Sequence, residues 1–386
     1  MVKAQRGWVL FFWSFFFTLG VAENLRSALL PLIKKDLMLN DQELSGLLMI
    51  GALASVLFQL FGGKLIDRLG QGLLYHFALL SCLLSLWSAP WVGSLVGGLS
   101  FFFTLHMGFT LYSLLTNSII PTMGAKAGQL LTLSHGCYGL GAALSPLIAE
   151  RLLSATGGWQ GSYKALTIPF LLLWIILIIL SSPQRRLPPI SGGDRPRLRS
   201  LFKDRKLWLF SGLFGCAITA EVATSSWLVR YLSEVSELTR GEAGYFMTGF
   251  YTLFTLTRFI ASSLPAKLGE HRTLWLCLNA SGISLSLALL SPHIAPYLMA
   301  LSGLFFALIF PSMVMVLNQC YQEHRAHILG VVISGALLIF MLTNALIGAF
   351  CEHISVRYSY LVMILCVCLA LILRRALELR TDTTDS

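Results

Sequence analysis

Apolar blocks of about twenty residues recur from one end of this chain to the other, each long enough to cross ~30 Å of hydrocarbon as a helix. Twelve are placed, at roughly 8–33, 44–63, 73–92, 94–121, 129–153, 163–182, 207–232, 243–264, 273–291, 296–318, 327–351 and 357–373. The blocks are apolar on all sides, which excludes a membrane barrel, whose strands alternate apolar and polar residues. With 56% of 386 residues hydrophobic and only 12% charged, a soluble domain is excluded as well. Lys3 and Arg6 precede the first block and no small-residue cleavage site follows it, so the block reads as a first membrane helix rather than a removed signal peptide. The eight cysteines lie in or at the ends of the blocks without metal-ligand spacing and read as packing residues. The expected class is an all-α membrane protein.

The longest polar run is 183–206. It holds eight Lys/Arg (Arg185, Arg186, Arg195, Arg197, Arg199, Lys203, Arg205 and Lys206) against Asp194 and Asp204, which is +6 of the net +10. Prolines and glycines break it throughout. A basic run can signal nucleic acid, but membrane-length blocks flank this one, so the positive-inside rule makes it a cytoplasmic linker. With an inner N-terminus, the inner segments carry 19 Lys/Arg and the outer ones 7, which places both termini in the cytoplasm. The expected divisions are a six-helix bundle at 1–182, the linker at 183–206, a second bundle at 207–373 and a cytoplasmic tail at 374–386.

The two halves repeat at an offset of about 198 residues. Ala22-Glu23 matches Ala220-Glu221, and Met49-Ile50-Gly51 matches Met247-Thr248-Gly249. One residue further on, Arg68-Leu69-Gly70 matches Lys267-Leu268-Gly269, and Gly136 matches Gly335. Two parallel, pseudo-symmetric six-helix halves joined by a linker suit alternating-access transport, with the substrate held near the midplane between the halves.

Gly63-Lys64-Leu65-Ile66-Asp67-Arg68-Leu69-Gly70, between spans 2 and 3, resembles the signature loop of the major facilitator superfamily, although Gln71 and Gly72 stand where the family usually has two basic residues. Three further stretches resemble the fucose permease and glucose/mannose–proton symporter branch: Leu131 to Pro146, Glu221 to Tyr231, and Gly303 to Pro311. The resemblance implies the superfamily fold over the whole chain, a gating role for Gly63, Asp67, Arg68, Gly70 and Arg258, and sugar contact by His135. The acid that the branch carries in span 4 is replaced by Ser113, four residues before Asn117. Drug–proton antiporters fit less well, since their span-4 arginine is missing.

Glu23 and Glu221 lie well inside spans at equivalent places of the repeat. Holding a carboxylate ionised at mid-membrane costs roughly 2.5–3.5 kcal/mol, close to the about 3.7 kcal/mol of neutralising it at pH 7, so neighbours decide which form wins. Arg26 sits three residues after Glu23 on the same face, where the two can pair. Glu221 has no base within two turns of its own helix, Arg230 being about 13.5 Å along the axis, and its face offers Thr224 and Ser225. It is the expected proton carrier, with Glu23 and Arg26 completing the coupling set; static hydrogen bonding between helices is the alternative for both acids. His106, Thr110, Ser113 and Asn117 form one stripe of span 4, lining either a cavity or another helix. Asn24, His106, Thr110, Asn117, His135, Ser225 and Trp227 are the substrate-binding candidates, with a packing role open for His135 and an interfacial one for Trp227.

No Walker loop, dinucleotide fingerprint, paired HxxxH or nucleophile elbow occurs, so neither an enzyme nor a metal or organic cofactor is expected; a proton or sodium gradient is the energy source. The expected function is import of a small polar solute, a sugar, by proton symport. The alternatives are export of a drug or metabolite by antiport, and a transport-dead receptor or scaffold. A monomer in a bacterial inner membrane, with lipid and substrate as partners and no nucleic acid, completes the expectation.

Overall fold

The computed structural model describes residues 3–39, 41–181 and 201–382, and among these every regular element is helical. Most of the basic linker, 182–200, lies outside the described residues, as does 383–386. The first half comprises α1 (Lys3–Asp36), α2 (Asp41–Leu69), α3 (Gln71–Ser88), α4 (Leu95–Ile119), α5 (Ala127–Thr156), α6 (Trp159–Ala165) and α7 (Thr167–Leu180). The second comprises α8 (Arg205–Val235), α9 (Arg240–Ile260), α10 (Leu264–Leu268), α11 (Glu270–Leu290), α12 (Ala295–Phe306), α13 (Ile309–Cys320), α14 (Arg325–His353) and α15 (Val356–Asp382).

Among the described residues all twelve expected spans are helical, and ten are long and apolar enough to cross a membrane on composition alone. The other two are α5 and α9, whose Gly, Ser, Thr, His and Arg dilute the apolar signal. Among the described residues three spans are broken, span 8 at 261–263 where α9 gives way to α10 ahead of Pro265. Span 6 divides at Leu166 and span 10 at Ala307-Leu308. Each break lies about one turn before a proline: Pro169 has no N–H for the carbonyl of Ala165, nor Pro311 for that of Ala307.

Caps mark several ends. Ser94 accepts from the amide of Gly97 at the start of α4, Asp204 from that of Lys206 at the start of α8, and Thr239 and Glu242 cap α9 reciprocally. The stretch expected as a loop at 63–70 is instead helical to Leu69. Only Gly70, at φ 77°, turns the chain, and Gly269 at φ 87° does the same 199 residues later. Met38 (φ 51°) and Glu237 (φ 58°) repeat at that same offset. Within the expected tail at 374–386, α15 runs unbroken to Asp382, with Arg374 and Arg375 both bridging to Glu378 one turn on.

The chain groups into two compact units, residues 1–195 with 323–330, and 196–322 with 331–386. The first packs α1 against α5, α2 against α4 and α3 against α4. Its core is aromatic: Phe15 stacks on Tyr112 at 3.3 Å, flanked by Phe11, Phe12 and Tyr75, whose hydroxyl bonds Thr116 at 3.2 Å. The second packs α8 against α15, α9 against α12 and α11 against α12. It buries Phe214, Phe250 and Phe306, and it seats Tyr231 against Tyr360 at 4.5 Å.

Candidate functional site

In the first unit, α1 and α5 approach closely because each offers a glycine. A Cβ on Gly20 would fall 2.1 Å from the carbonyl oxygen of Tyr138, and one on Gly141 equally near that of Phe17. The approach brings the Tyr138 hydroxyl to Glu23, to which it donates at 2.9 Å, while Asn24 donates to Tyr138 at 3.4 Å and to the carbonyl of Gly20 at 2.9 Å. Arg26 turns instead to α4. The carbonyl of Phe102 accepts from His106 Nδ1 at 2.9 Å, which leaves Nε2 to accept from the Arg26 guanidinium at 3.4 Å. Gly51 on α2 makes room for that imidazole, since a Cβ there would lie 2.8 Å from the ring.

The expected Glu23–Arg26 ion pair is therefore not formed among the described residues. The two share a face of α1, but Tyr138 on α5 and His106 on α4 draw their side chains to different neighbours.

The span-4 stripe is satisfied member by member. Thr110 donates to Ser55 on α2 at 3.0 Å; Asn117 donates to Ser113 at 3.1 Å and accepts from His135 on α5 at 3.3 Å. Phe16 meets the His135 ring edge-on at 5.1 Å. Asn24, His106, Asn117 and His135 thus take part in separate hydrogen-bonded sets that link α1 with α5, α1 with α4 and α4 with α5, and Thr110 links α4 to α2. Tyr138, which donates to the Glu23 carboxylate, was not among the expected site residues, although it lies inside the 131–146 motif.

The second unit is arranged differently. Glu221 on α8 is half-buried, and the base within its electrostatic reach is Arg258, contributed by α9 rather than by its own helix. Arg258 is buried, lies 3.9 Å from the Phe254 ring centre and donates Nε–H to the Ala307 carbonyl at 3.0 Å. That carbonyl is the one Pro311 leaves without a helical donor, so Arg258 fills the gap in span 10. Ser225 donates to the Val222 carbonyl at 2.9 Å, while Thr224 is buried against Met363. Trp227 lies under the Arg230 guanidinium at 5.7 Å.

Among the gating candidates, Asp67 is nearly enclosed. Its carboxylate is 3.3 Å from Nε2 of His327, a residue at the start of α14 that groups with the first unit. Gly63, one turn earlier on α2, has to be glycine for that ring to fit, as a Cβ would stand 2.5 Å from it. Arg68 and Gly70 are exposed. Among the described residues no cluster of His, Cys, Asp or Glu could hold a metal ion, and the cysteines are unbridged.

Twelve membrane helices in two repeat-related sets, each with a carboxylate at the same place of the repeat, define a membrane carrier. The Major Facilitator Superfamily profile matches residues 11–298 and 221–385, and the chain belongs to that superfamily: it is a multi-pass membrane transporter, not an enzyme. Among curated proteins, a nitrite extrusion protein of Bacillus subtilis (strain 168) is 24% identical over 277 residues, covering 70% of this chain and 68% of that one. A probable nitrate/nitrite antiporter of Thermus thermophilus is 26% identical over 279 residues, covering 65% of this chain and 60% of that one. Among solved structures, the superfamily transporter FucP in its outward conformation matches with TM-score 0.79 at 16% identity, over 96% of this chain and 98% of that one. The E. coli fucose:proton symporter FucP in a second structure gives 0.76 at 17% identity, with the same coverage of each chain.

Proposed function

We propose that the chain is a proton-coupled secondary transporter of a small polar solute, working by alternating access, with a neutral sugar as cargo and Glu221 as proton carrier. The observation that supports a neutral cargo is the balance of charge. Glu23 is accompanied by Arg26 in the first unit and Glu221 by Arg258 in the second, while Asn24, Asn117, His135 and Tyr138 offer neutral hydrogen-bonding groups. A strongly anionic cargo calls for a surplus of bases. Gly63, Asp67, Arg68 and Gly70 are assigned to gating on the signature they share with the family, and the Asp67–His327 contact supports that role for Asp67. Arg258 keeps its gating assignment through the break in span 10. The Lys/Arg distribution supports cytoplasmic termini in a cell inner membrane, and a monomer is the working unit.

A second reading, exchange or export of a small oxyanion, is favoured by the names of the two curated relatives and by Arg26, which is bound to an imidazole rather than neutralised by Glu23. Proteoliposomes with an imposed pH gradient separate the two. Uphill accumulation of a labelled sugar from a panel supports the first reading. Nitrite or nitrate exchange, with no sugar moved, replaces it by the second. Binding of solute without any flux makes the chain a receptor and removes both.

A further inference from the structure

Within the second unit, the first turns of α11 and the last turns of α15 enclose a cleft of about 450 Å³ lined by His271, Arg272, Trp275, Arg374, Arg375 and Glu378. Three guanidinium groups meet one carboxylate there, leaving the cleft positive. Arg374 is its fixed part, donating Nε–H to the His271 carbonyl at 3.3 Å and holding Glu378 at 2.5 Å. Arg375 lies 3.7 Å from the other oxygen of the same carboxylate, with 69% of its side chain exposed. Arg272 is exposed and makes no ion pair among the described residues. The buried Nδ1 of His271 has no hydrogen-bond partner and lies 3.8 Å from Glu378.

Away from this cleft both helices turn apolar columns outward, Leu276, Ile283 and Leu287 on α11 and Leu365, Leu369 and Ile372 on α15, with Trp275 half-exposed where column and cleft meet. In a membrane protein such columns face acyl chains, and a tryptophan at their end marks the headgroup level. A basic cleft at that level is complementary to a lipid phosphate. Inorganic phosphate would use only the polar half of this arrangement.

We propose that the cleft seats the headgroup phosphate of an anionic phospholipid, whose chains lie along the apolar columns of α11 and α15. Arg272 and Arg375 are the mobile arms that close on the phosphate, and Arg374 is the fixed post that keeps the two helix ends together. The site is independent of the cargo and of the coupling acids.

The test is lipid retention by the purified full-length chain, read by native mass spectrometry after exchange into mixed phosphatidylglycerol and phosphatidylcholine. The wild type should keep phosphatidylglycerol preferentially. The doubly substituted Arg272→Gln/Arg375→Gln chain should lose that preference by on the order of tenfold or more, while Arg272→Lys/Arg375→Lys keeps most of it. A large excess of inorganic phosphate should leave the bound lipid in place. Equal phosphatidylglycerol retention by the wild-type and glutamine chains would overturn the proposal, and displacement of the lipid by inorganic phosphate would make this a soluble-anion site instead. If the glutamine chain does not fold, the wild type still decides: a preference for phosphatidylglycerol that rising salt leaves untouched is not carried by these arginines.

Discussion

On α1, Phe17 brings its carbonyl into a gap left by Gly141 on α5; 198 residues later, Gly215 on α8 leaves the gap and Ile339 on α14 fills it. The same crossing is made twice, and at this one contact the glycine stands on opposite partners. One turn along, Ser145 donates to the carbonyl of Val21 at 3.0 Å, and the register-equivalent Thr343 and Thr219 bond to each other at 2.8 Å. The helix-pairing scheme therefore repeats while its atoms do not. The chemistry repeats still less: Tyr138, His106 and Arg26 have Ala336, Leu304 and Thr224 as counterparts, and Glu23 alone keeps its identity in Glu221. The positions that meet are what the repeat preserves, and each half carries its own polar load.

The largest expected difference concerns the two carboxylates. Glu221→Gln should abolish uphill accumulation, so that solute only reaches the level set by its own gradient, while solute exchange survives. Glu23→Gln keeps an acceptor for Tyr138 and leaves Arg26 on His106, so accumulation should persist within a few-fold of wild type. Paired uptake and exchange assays in proteoliposomes read both; full accumulation by Glu221→Gln moves the coupling role to Glu23.

The swapped glycines come next. Gly141→Ala drives a methyl into a backbone carbonyl and should cost about 3 kcal/mol or more, whereas Gly215→Ala meets only the Ile339 side chain and should cost about 1–3 kcal/mol. Adding Ile339→Ala should recover part of the second loss and none of the first. Unfolding in detergent measures all three, and an equal cost at the two glycines would break the equivalence drawn between the crossings.

Asp67 has Ala266 as its counterpart, an exposed residue outside any such contact. Asp67→Ala orphans the buried Nε2 of His327 and should cost about 1–3 kcal/mol, and Asp67→Asn less, because an amide oxygen still accepts. Ala266→Asp should lie within about 0.5 kcal/mol of wild type. Cysteine labelling of the two membrane faces provides the second readout: a shift with Asp67→Asn supports the gate, and none removes it. The smallest effect is expected at the repeated hydroxyls, where Ser145→Ala and Thr343→Val should each cost about 1 kcal/mol. A near-zero cost at either shows which half holds its crossing by packing alone.

Most of the fold is legible in the sequence. Apolar length alone placed the helices, and the offset of 198 to 199 found in four short motifs recurs in the crossings, at 198, and in the turn residues, at 199. The breaks in spans 6 and 10 are legible as well, since Pro169 and Pro311 each stand one turn beyond one. The helical run of α15 to Asp382 was hidden because hydropathy stops at the membrane edge, whereas the Arg–Glu pairs that continue the helix do not. The site was legible only as a roster. Asn117 and His135 were both named, but nothing local shows that they bond each other. The assignment of Arg26 to Glu23 was the natural reading of an i,i+3 spacing, and it failed because α4 and α5, distant in sequence, offered better-placed partners. Likewise Glu221 looked isolated from bases because its base comes from the next span.

The hydrogen bond between Tyr138 and Glu23 also sets a clock on how the chain is made. The two residues are 115 positions apart, and at ribosomal rates of about 5–20 residues per second the carboxyl waits roughly 6–23 s for its donor to be synthesised. Through that interval α1 carries an acid whose ionised form is costly in lipid. It must stay neutral, or remain beside water or the insertion machinery, until α5 arrives. Arg26 waits for His106 in the same period. A helix made early is thus settled late, and nascent chains stalled between α1 and α5 are the species that membrane quality control should meet most often.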